Sequence, residues 1–415
     1  MEAERSLGCD IAVIGGGPAG IAAALSARHF GAEVILVETT GTLGGMSTGG
    51  GLNIWCGNAF SRLQNLIIER YNRRTVYDVE DLKCFYYTLL DDTGVKIITH
   101  TQPLEVDIEH GVINSAIIFG KGQKIRLSSK VYIDATGDGD FAAMSGVPFT
   151  LGRPSDGLTQ PLSLEFQVGG LSDDAIFPNT FSGFKELEDE MKRWIDAGKI
   201  SKPAGHVILL RGIQPHTAAV NMTNVNRVNG ADILDRSRAE VLAHRQVLEI
   251  IPFLRECVKG YENCYLTSVA AYTGVRESRH FSGEYTLTEQ DILNQTVFDD
   301  WIVSNAKYCF GIHSLTEVAS AHDDNIPDYH GESYTIPYRS LLPKGIINLL
   351  LCGRNISGTH IAHSSYRVMP ICMAVGEGAG LAAATAIHQN KALREIDIHC
   401  VQKILCEDYG APAPI

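Results

Sequence analysis

No two cysteines in this sequence stand as a C-x-x-C pair, and none of the ten falls at the short Cys/His spacings that hold zinc or an iron–sulfur cluster. They read as scattered buried or free thiols, the usage of a reducing compartment. No apolar stretch reaches the roughly 20 residues that a membrane span needs; Gly, Glu or Arg interrupts each one. The short segment ahead of the first strand lacks the apolar h-region of a secretory leader, so the cytoplasm is the expected compartment. Proline is sparse, at 15 of 415 residues, while hydrophobic residues make up 45%, which excludes disordered and fibrous classes. Positive charge is also short: Lys and Arg total 35 against 48 Asp and Glu, a formal charge of -13. Neither nucleic acid nor an anionic membrane is therefore an expected partner. The longest basic run, Tyr71-Asn72-Arg73-Arg74, reads as solvated charge at a helix end. No repeat or low-complexity tract is present.

What is present has the size of an enzyme, with room for two or three domains that each bury a real core. Asp10-Ile-Ala-Val-Ile14 and Glu33-Val-Ile-Leu-Val37 are short buried strands flanking an Ala-rich helix from Pro18 to Phe30, a β-α-β unit. Amphipathic patterns predict helices over Ala59 to Tyr71 and Val79 to Asp91, then a strand from Val95 to His100. The alternation from Leu104 to Phe119 around the His110-Gly111 turn predicts a hairpin or meander, closed by a strand from Lys130 to Asp134. Beyond Arg153 the pattern changes to isolated strands, Leu162 to Val168 and His206 to Leu210, between helices from Phe184 to Ala197 and Asp235 to Val258. The first style returns with a buried strand from Ile347 to Cys352, a loop, and a small-residue helix from Val368 to Ile387. The expected fold is α/β. A discontinuous Rossmann-like nucleotide domain, parallel sheet plus β-meander, occupies 1–153 and 335–415, and an inserted α+β substrate domain occupies 154–334.

Gly15-Gly16-Gly17-Pro18-Ala19-Gly20 follows a strand and opens a helix, the context that makes G-x-G-x-x-G a dinucleotide site. Gly15 permits the turn, Gly17 lets backbone approach a pyrophosphate, and Gly20 allows close helix–strand packing. Pro18 and Ala19 lie at the helix N-terminus, whose free N–H groups favour phosphate. Glu38, ending the second strand, is placed to accept from an adenosine ribose. A further glycine loop, Gly44-Gly45-Met46, follows, with Ser47 and Thr48 as hydroxyl donors toward a ring edge. This series of glycine turn, acid and second glycine pair resembles the extended fingerprint of flavoproteins with two dinucleotide sites. Ala135-Thr136-Gly137 at the end of another strand resembles the motif that completes an FAD site. The acidic run from Asp134 to Asp140 lacks EF-hand spacing, so no metal is expected.

Farther on, the segments Gly274 to Tyr285, Cys352 to His360, Arg367-Val368-Met369-Pro370 and Gly376-Glu377-Gly378-Ala379-Gly380 sharpen the resemblance. Together they are similar to FAD-dependent oxidoreductases of the glutathione-reductase structural class, related to fumarate reductase and succinate dehydrogenase flavoproteins. The resemblance covers nearly the whole chain. It implies that Gly353 and Arg354 approach the phosphate or ribityl region of FAD. It also implies that a helix beginning near Arg367, with Val368 and Met369, directs its N-terminal dipole at the flavin ring. No attachment position for covalent flavin is evident, so FAD is expected to be non-covalent.

Hydride transfer needs a positioned donor, a base and, for an anionic substrate, a counter-charge. His360 and His363, in the loop before the last helix, are the candidate bases, each equally readable as a histidine bonding a loop carbonyl. Arg276 and Arg279 are candidate carboxylate clamps, or partners of nearby acids such as Glu277 and Glu284. Cys56 reads as an inert thiol for want of a cysteine close in sequence. The expected activity is an FAD-dependent dehydrogenase or oxidase on a small organic molecule, reoxidised by oxygen or another electron acceptor. A flavin reductase or monooxygenase using NAD(P)H and a flavin-binding subunit without its own substrate are the alternatives.

Overall fold

The computed structural model describes residues 5–74, 76–178, 185–204, 207–313, 327, 329 and 331–414. The chain opens on β1 (Arg5–Ile14), α1 (Pro18–His29) and β2 (Val34–Val37). β1 and β2 pair in parallel, with Ile11 opposite Val34 and Ile14 opposite Val37. All four β2 residues and the last four of β1 are buried, so this stretch reads as unbroken apolar sequence rather than as alternation. β1 also extends back to Arg5, a half-exposed start that the apolar pattern does not mark.

Next come α2 (Arg62–Arg70), α3 (Val79–Asp92), β3 (Lys96–Ile98) and a meander of β4 (Gln102–Glu109), β5 (Val112–Gly120) and β6 (Gln123–Asp134). The sheet order is β3-β2-β1-β6-β5-β4. β6 is its pivot. One side of β6 pairs with β1 along its length in parallel; the other pairs antiparallel with β5 near its start. Near its end that second side is taken by a strand from the far end of the chain.

α4 (Asp140–Met144) and β7 (Phe149–Leu151) lead into a second antiparallel sheet. Its strands are β8 (Phe166–Gly169), β9 (Leu209–Arg211), β10 (Ala218–Val220) and β11 (Tyr265–Val269), in the order β11-β8-β10-β9, accompanied by α5 (Lys185–Asp196) and α6 (Ile233–Cys257). Phe184 and His206, expected at element ends here, lie outside the described residues. β12 (Arg279–Phe281) returns to pair with β7, α7 (Glu289–Leu293) follows, and β13 (Trp301–Ala306) pairs with β14 (Tyr334–Pro337). β15 (Leu349–Leu351) then completes the first sheet in parallel with β6, Leu351 opposite Asp134. The chain closes on α8 (His360–Tyr366), α9 (Met369–Gln389) and α10 (Ile398–Glu407).

Two hydrophobic cores result. One draws on residues from Ile11 through Val147 and again from Phe281 through Ala411; the other runs from Leu162 to Val275. The halves of the first are locked by α1 against α9. A Cβ on Gly376 would stand 2.1 Å from Ala19 O, and one on Gly380 2.2 Å from Ala23 O, so only glycine permits this approach. α9 is the one helix among the described residues long and apolar enough to cross a bilayer, and it is packed inside this core. The architecture is thus a Rossmann-like α/β unit with a meander, plus a second unit inserted between its halves.

Candidate active site

A cavity of about 770 Å³ lies beyond the C-terminal ends of β1, β2, β6 and β15. Ligands in open parallel sheets sit in such crevices. Its walls carry Gly15, Gly17, Pro18 and Ala19 after β1, Glu38 after β2, and Ala135, Thr136, Gly137 and Asp138 after β6. Gly353 and Arg354 after β15, together with Gly45, Met46, Arg367 and Met369, close it. Gly15 has φ 106°, and a Cβ there would lie 2.4 Å from Ala135 O; the turn tolerates only glycine. Gly20 packs against Gly15 O, where a Cβ would stand at 1.9 Å, while a Cβ on Gly17 would meet open space. That open backbone at the start of α1 is where a phosphate can come close.

The acids around this cavity shape its walls. Glu38 accepts from Gly16 N at 2.8 Å on one oxygen and from Thr40 N and Oγ1 on the other. Asp134 accepts from Thr136 N and Oγ1 and from Ala142 N, which folds the Ala135-Thr136-Gly137 turn; burial pushes its pKa up to about 6. Asp138 accepts from Arg354 Nη2 at 2.9 Å and Ser278 Oγ at 2.8 Å, with Arg236 at 3.3 Å. Burial alone would raise Asp138, but Arg354 and Arg236 hold it below the usual carboxylate range. Arg354 keeps Nη1, and Arg367 keeps Nε, buried without a partner, although Arg367 Nη2 donates to Gly311 O. Unpaired guanidinium nitrogens beside a cavity with an open glycine turn fit a bound dinucleotide.

Several expected cofactor residues do other work. Ser47 donates to Gly44 O and meets Tyr86 Oη, and Thr48 donates to Leu43 O, so both hydroxyls fold the loop and neither lines the cavity. Gly44 stands behind them at φ 106°. Val368 is the N-cap of α9, and Arg367 is the last residue of the preceding turn rather than the start of that helix.

His360 and His363 are not in a loop. They lie on α8, which Thr359 caps by accepting from Ala362 N. Neither they nor Arg276 line the large cavity. His360 Nδ1 and His280 Nε2 both donate to Glu277 Oε1, and Gln160 N donates to the other oxygen at 2.8 Å. Burial works to raise Glu277, but the hydrogen bonds from His280 and His360 outweigh it and hold the carboxyl well below its ordinary range. His363 is buried, its pKa depressed by burial and by His280, with Nδ1 unpartnered.

Arg276 pairs with neither acid near it in sequence. Its Nη1 donates to Pro161 O and Ser163 Oγ, while Glu277 is taken by the histidines and Glu284 by Arg394. Burial and the charge of Arg367 lower Arg276 to about 10. Arg279 does line the cavity, bonding Asp138 O and Asp140. Tyr272, which donates to Gly45 O, and Arg236 are further wall residues with no motif to announce them. Glu165 is buried with Oε2 unpartnered, and burial lifts it to about 8 against the pull of Arg276. It sits in the alternation Leu162 to Val168, where a polar residue reads as solvent-facing.

No curated protein matches the chain at a significant level. Among solved structures it is similar in fold to a geranylgeranyl bacteriochlorophyll reductase-like protein from Thermoplasma acidophilum, with TM-score 0.52 and 12% identity, covering 97% of this chain and 84% of that one. It is similar too to the myxobacterial chondrochloren halogenase CndH, described as an FAD-dependent halogenase, with TM-score 0.50 and 11% identity over 97% of this chain and 79% of that one. The family model described as FAD dependent oxidoreductase matches residues 10–405, from β1 through α10. With a dinucleotide cavity assembled from both ends of that span, the chain belongs to the FAD-dependent oxidoreductases and is an enzyme with FAD as its cofactor.

Proposed function

We propose that this enzyme removes hydride from a small organic substrate and passes the electrons to oxygen or another acceptor. FAD, when bound, supplies the two-electron acceptor at ring nitrogen N5. The observation that carries the reading is the position of Arg367. It lines the cofactor cavity and caps the C-terminus of α8, the helix that begins with His360, itself bonded to Glu277.

In this reading Gly15, Gly17, Pro18, Ala19 and the N-terminus of α1 hold the pyrophosphate, and Glu38 the ribose. Arg354 and the N-terminus of α9 stabilise negative charge at the ring edge. The inserted unit, with its core from Leu162 to Val275, is the substrate unit. Glu277 keeps the proton on His360 Nδ1, which leaves Nε2 as the acceptor for a substrate proton. His363, kept neutral by burial, is a polar packing group. Arg276 supplies the counter-charge.

Anaerobic mixing of the FAD-loaded enzyme with a panel of small alcohols, amines and hydroxy acids tests the proposal, with NADPH as a separate arm. Bleaching of the flavin by a panel member but not by NADPH is the expected result. His360→Gln should slow it by about 10²- to 10⁴-fold at unchanged FAD content. Rapid bleaching by NADPH alone would replace this reading with a reductase or monooxygenase. Bleaching by neither would leave a flavin-binding subunit.

A further inference from the structure

A second cavity, of about 740 Å³, shares no lining residue with the cofactor cavity. One wall comes from the first unit: Arg73, Arg74 and Val76 follow α2, and Val76 is fixed by a bridge to Ile54. The other comes from the inserted unit. There the turn between β9 and β10 runs from Gly212 to Thr217, and Leu171 N donates to His216 O at 3.1 Å. Phe177 and Arg211 complete that wall, with Arg211 Cζ 4.2 Å from the centroid of the Phe177 ring. The pocket exists only where the two units meet.

Its charge runs against that of the chain. The formal charge of the whole is -13, and Arg70, Arg193, Arg339 and Arg394 each hold a carboxylate. Arg73, Arg74 and Arg211 are exposed and pair with no acid among the described residues. The one acid on the walls, Asp173, stands 3.9 Å from His216 and is itself almost wholly exposed. Stacking on Phe177 uses the face of the Arg211 guanidinium and leaves its in-plane N–H donors free. The ring holds the fork in place without occupying it. Arg73 has φ 61° and His216 φ 56°, a region that side chains of their size rarely adopt. Strain of this kind gathers at ligand sites, and both residues line the same pocket.

We infer that this pocket binds a small organic phosphate, with Arg73, Arg74 and Arg211 on the phosphoryl oxygens and the apolar part of the ligand against Val76, Leu171 and Ile213. Planar donor forks match phosphate geometry, and three of them suit a dianion with several acceptor oxygens better than a single carboxylate, which one fork would satisfy. The volume is that of a site for an organic molecule, and the apolar walls favour one over a bare inorganic ion. Because the walls belong to both units, the bound phosphate ties one to the other. The inference goes beyond the proposed reaction and does not rest on it.

Calorimetric titration of the FAD-loaded enzyme with phenyl phosphate, phenol and inorganic phosphate tests this. Phenyl phosphate should bind more tightly than either of the others, because it alone meets both kinds of wall. Arg73→Gly and Arg211→Gln should each weaken its binding by about tenfold at unchanged FAD content. Glycine also accepts the left-handed backbone at position 73, so the unfolding midpoint of Arg73→Gly should stay close to that of the wild type while binding falls. A loss of binding in that variant is then a loss of the guanidinium and not of the fold. Phenol binding as tightly as phenyl phosphate would overturn the inference, and so would inorganic phosphate binding as tightly. No binding of phenyl phosphate, or an affinity untouched in both variants, would overturn it as well.

Discussion

At Glu277 one carboxylate oxygen takes hydrogen bonds from two imidazoles and the other takes a backbone N–H, with the carboxylate itself fully buried. Removing the charge leaves three donors facing an amide. Glu277→Gln should cost about 3 kcal/mol or more, the penalty for breaking a buried pair, read as a lower unfolding midpoint at neutral pH. Because the folded pKa is depressed, this stabilisation is present above the unfolded value of about 4.3 and is lost as pH falls below it. The gap between wild type and variant should therefore narrow in acid. The sequence offered Glu277 only as a possible partner of Arg276 or Arg279. Its true partners are a histidine three residues on and another 83 positions away, a convergence that spacing does not reveal. Glu165 was hidden for the opposite reason. Its alternating neighbours mark a strand with a wet face, and that face is covered by a loop from the other unit.

Among the elements, α9 shows how a helix can do two jobs. Its glycines let α1 approach on one side, and on another Glu377 reaches the start of α2, where Oε1 accepts from Ser61 Oγ at 3.0 Å and Leu63 N at 2.9 Å. Glu377 thus caps a helix remote in sequence, while its Oε2 has no partner. Burial raises its pKa to about 7. For a carboxyl with a raised folded pKa, stability is full below the unfolded value of about 4.3 and falls as pH rises toward 7. Glu377→Gln keeps the acceptor and removes the charge. It should stabilise the protein by about 3 kcal/mol at pH 8 and by little at pH 5, which thermal melts at the two pH values would check. The Ala-rich and Gly-rich signatures of α1 and α9 made both helices legible, as did the buried β1, β2 and β15. α8 was not, because seven residues carry too little periodicity; only Thr359, its cap, marks its start. β13 and β14 form a short pair across a long sequence gap, with register shifts that blur alternation.

For the whole molecule, the cavity proposed for FAD has walls from both segments of the chain, so binding there would also clamp the two together. At free FAD about a hundred times its Kd, the folded state should gain about 2.7 kcal/mol over apoprotein. Melting of FAD-stripped protein against graded FAD should show a midpoint that climbs with concentration; a midpoint independent of FAD would contradict a site built across both segments. The return of β15 to the first sheet was readable because the apolar style of the first strands recurs from Ile347 to Cys352. The seam between the two units was not, since it exists only once both have folded. The three-way pairing of β6 carries a further consequence for how the protein is made. Its second edge is finished by β15, which a ribosome delivers about 200 residues after β6, roughly 10 to 40 s later at ordinary translation rates. Throughout that interval the nascent sheet presents unpaired N–H and C=O groups beside Tyr132 to Asp134, and α1 presents a bare small-residue face. The cavity that Gly353 and Arg354 help to wall therefore cannot close until β15 has been made and has joined β6.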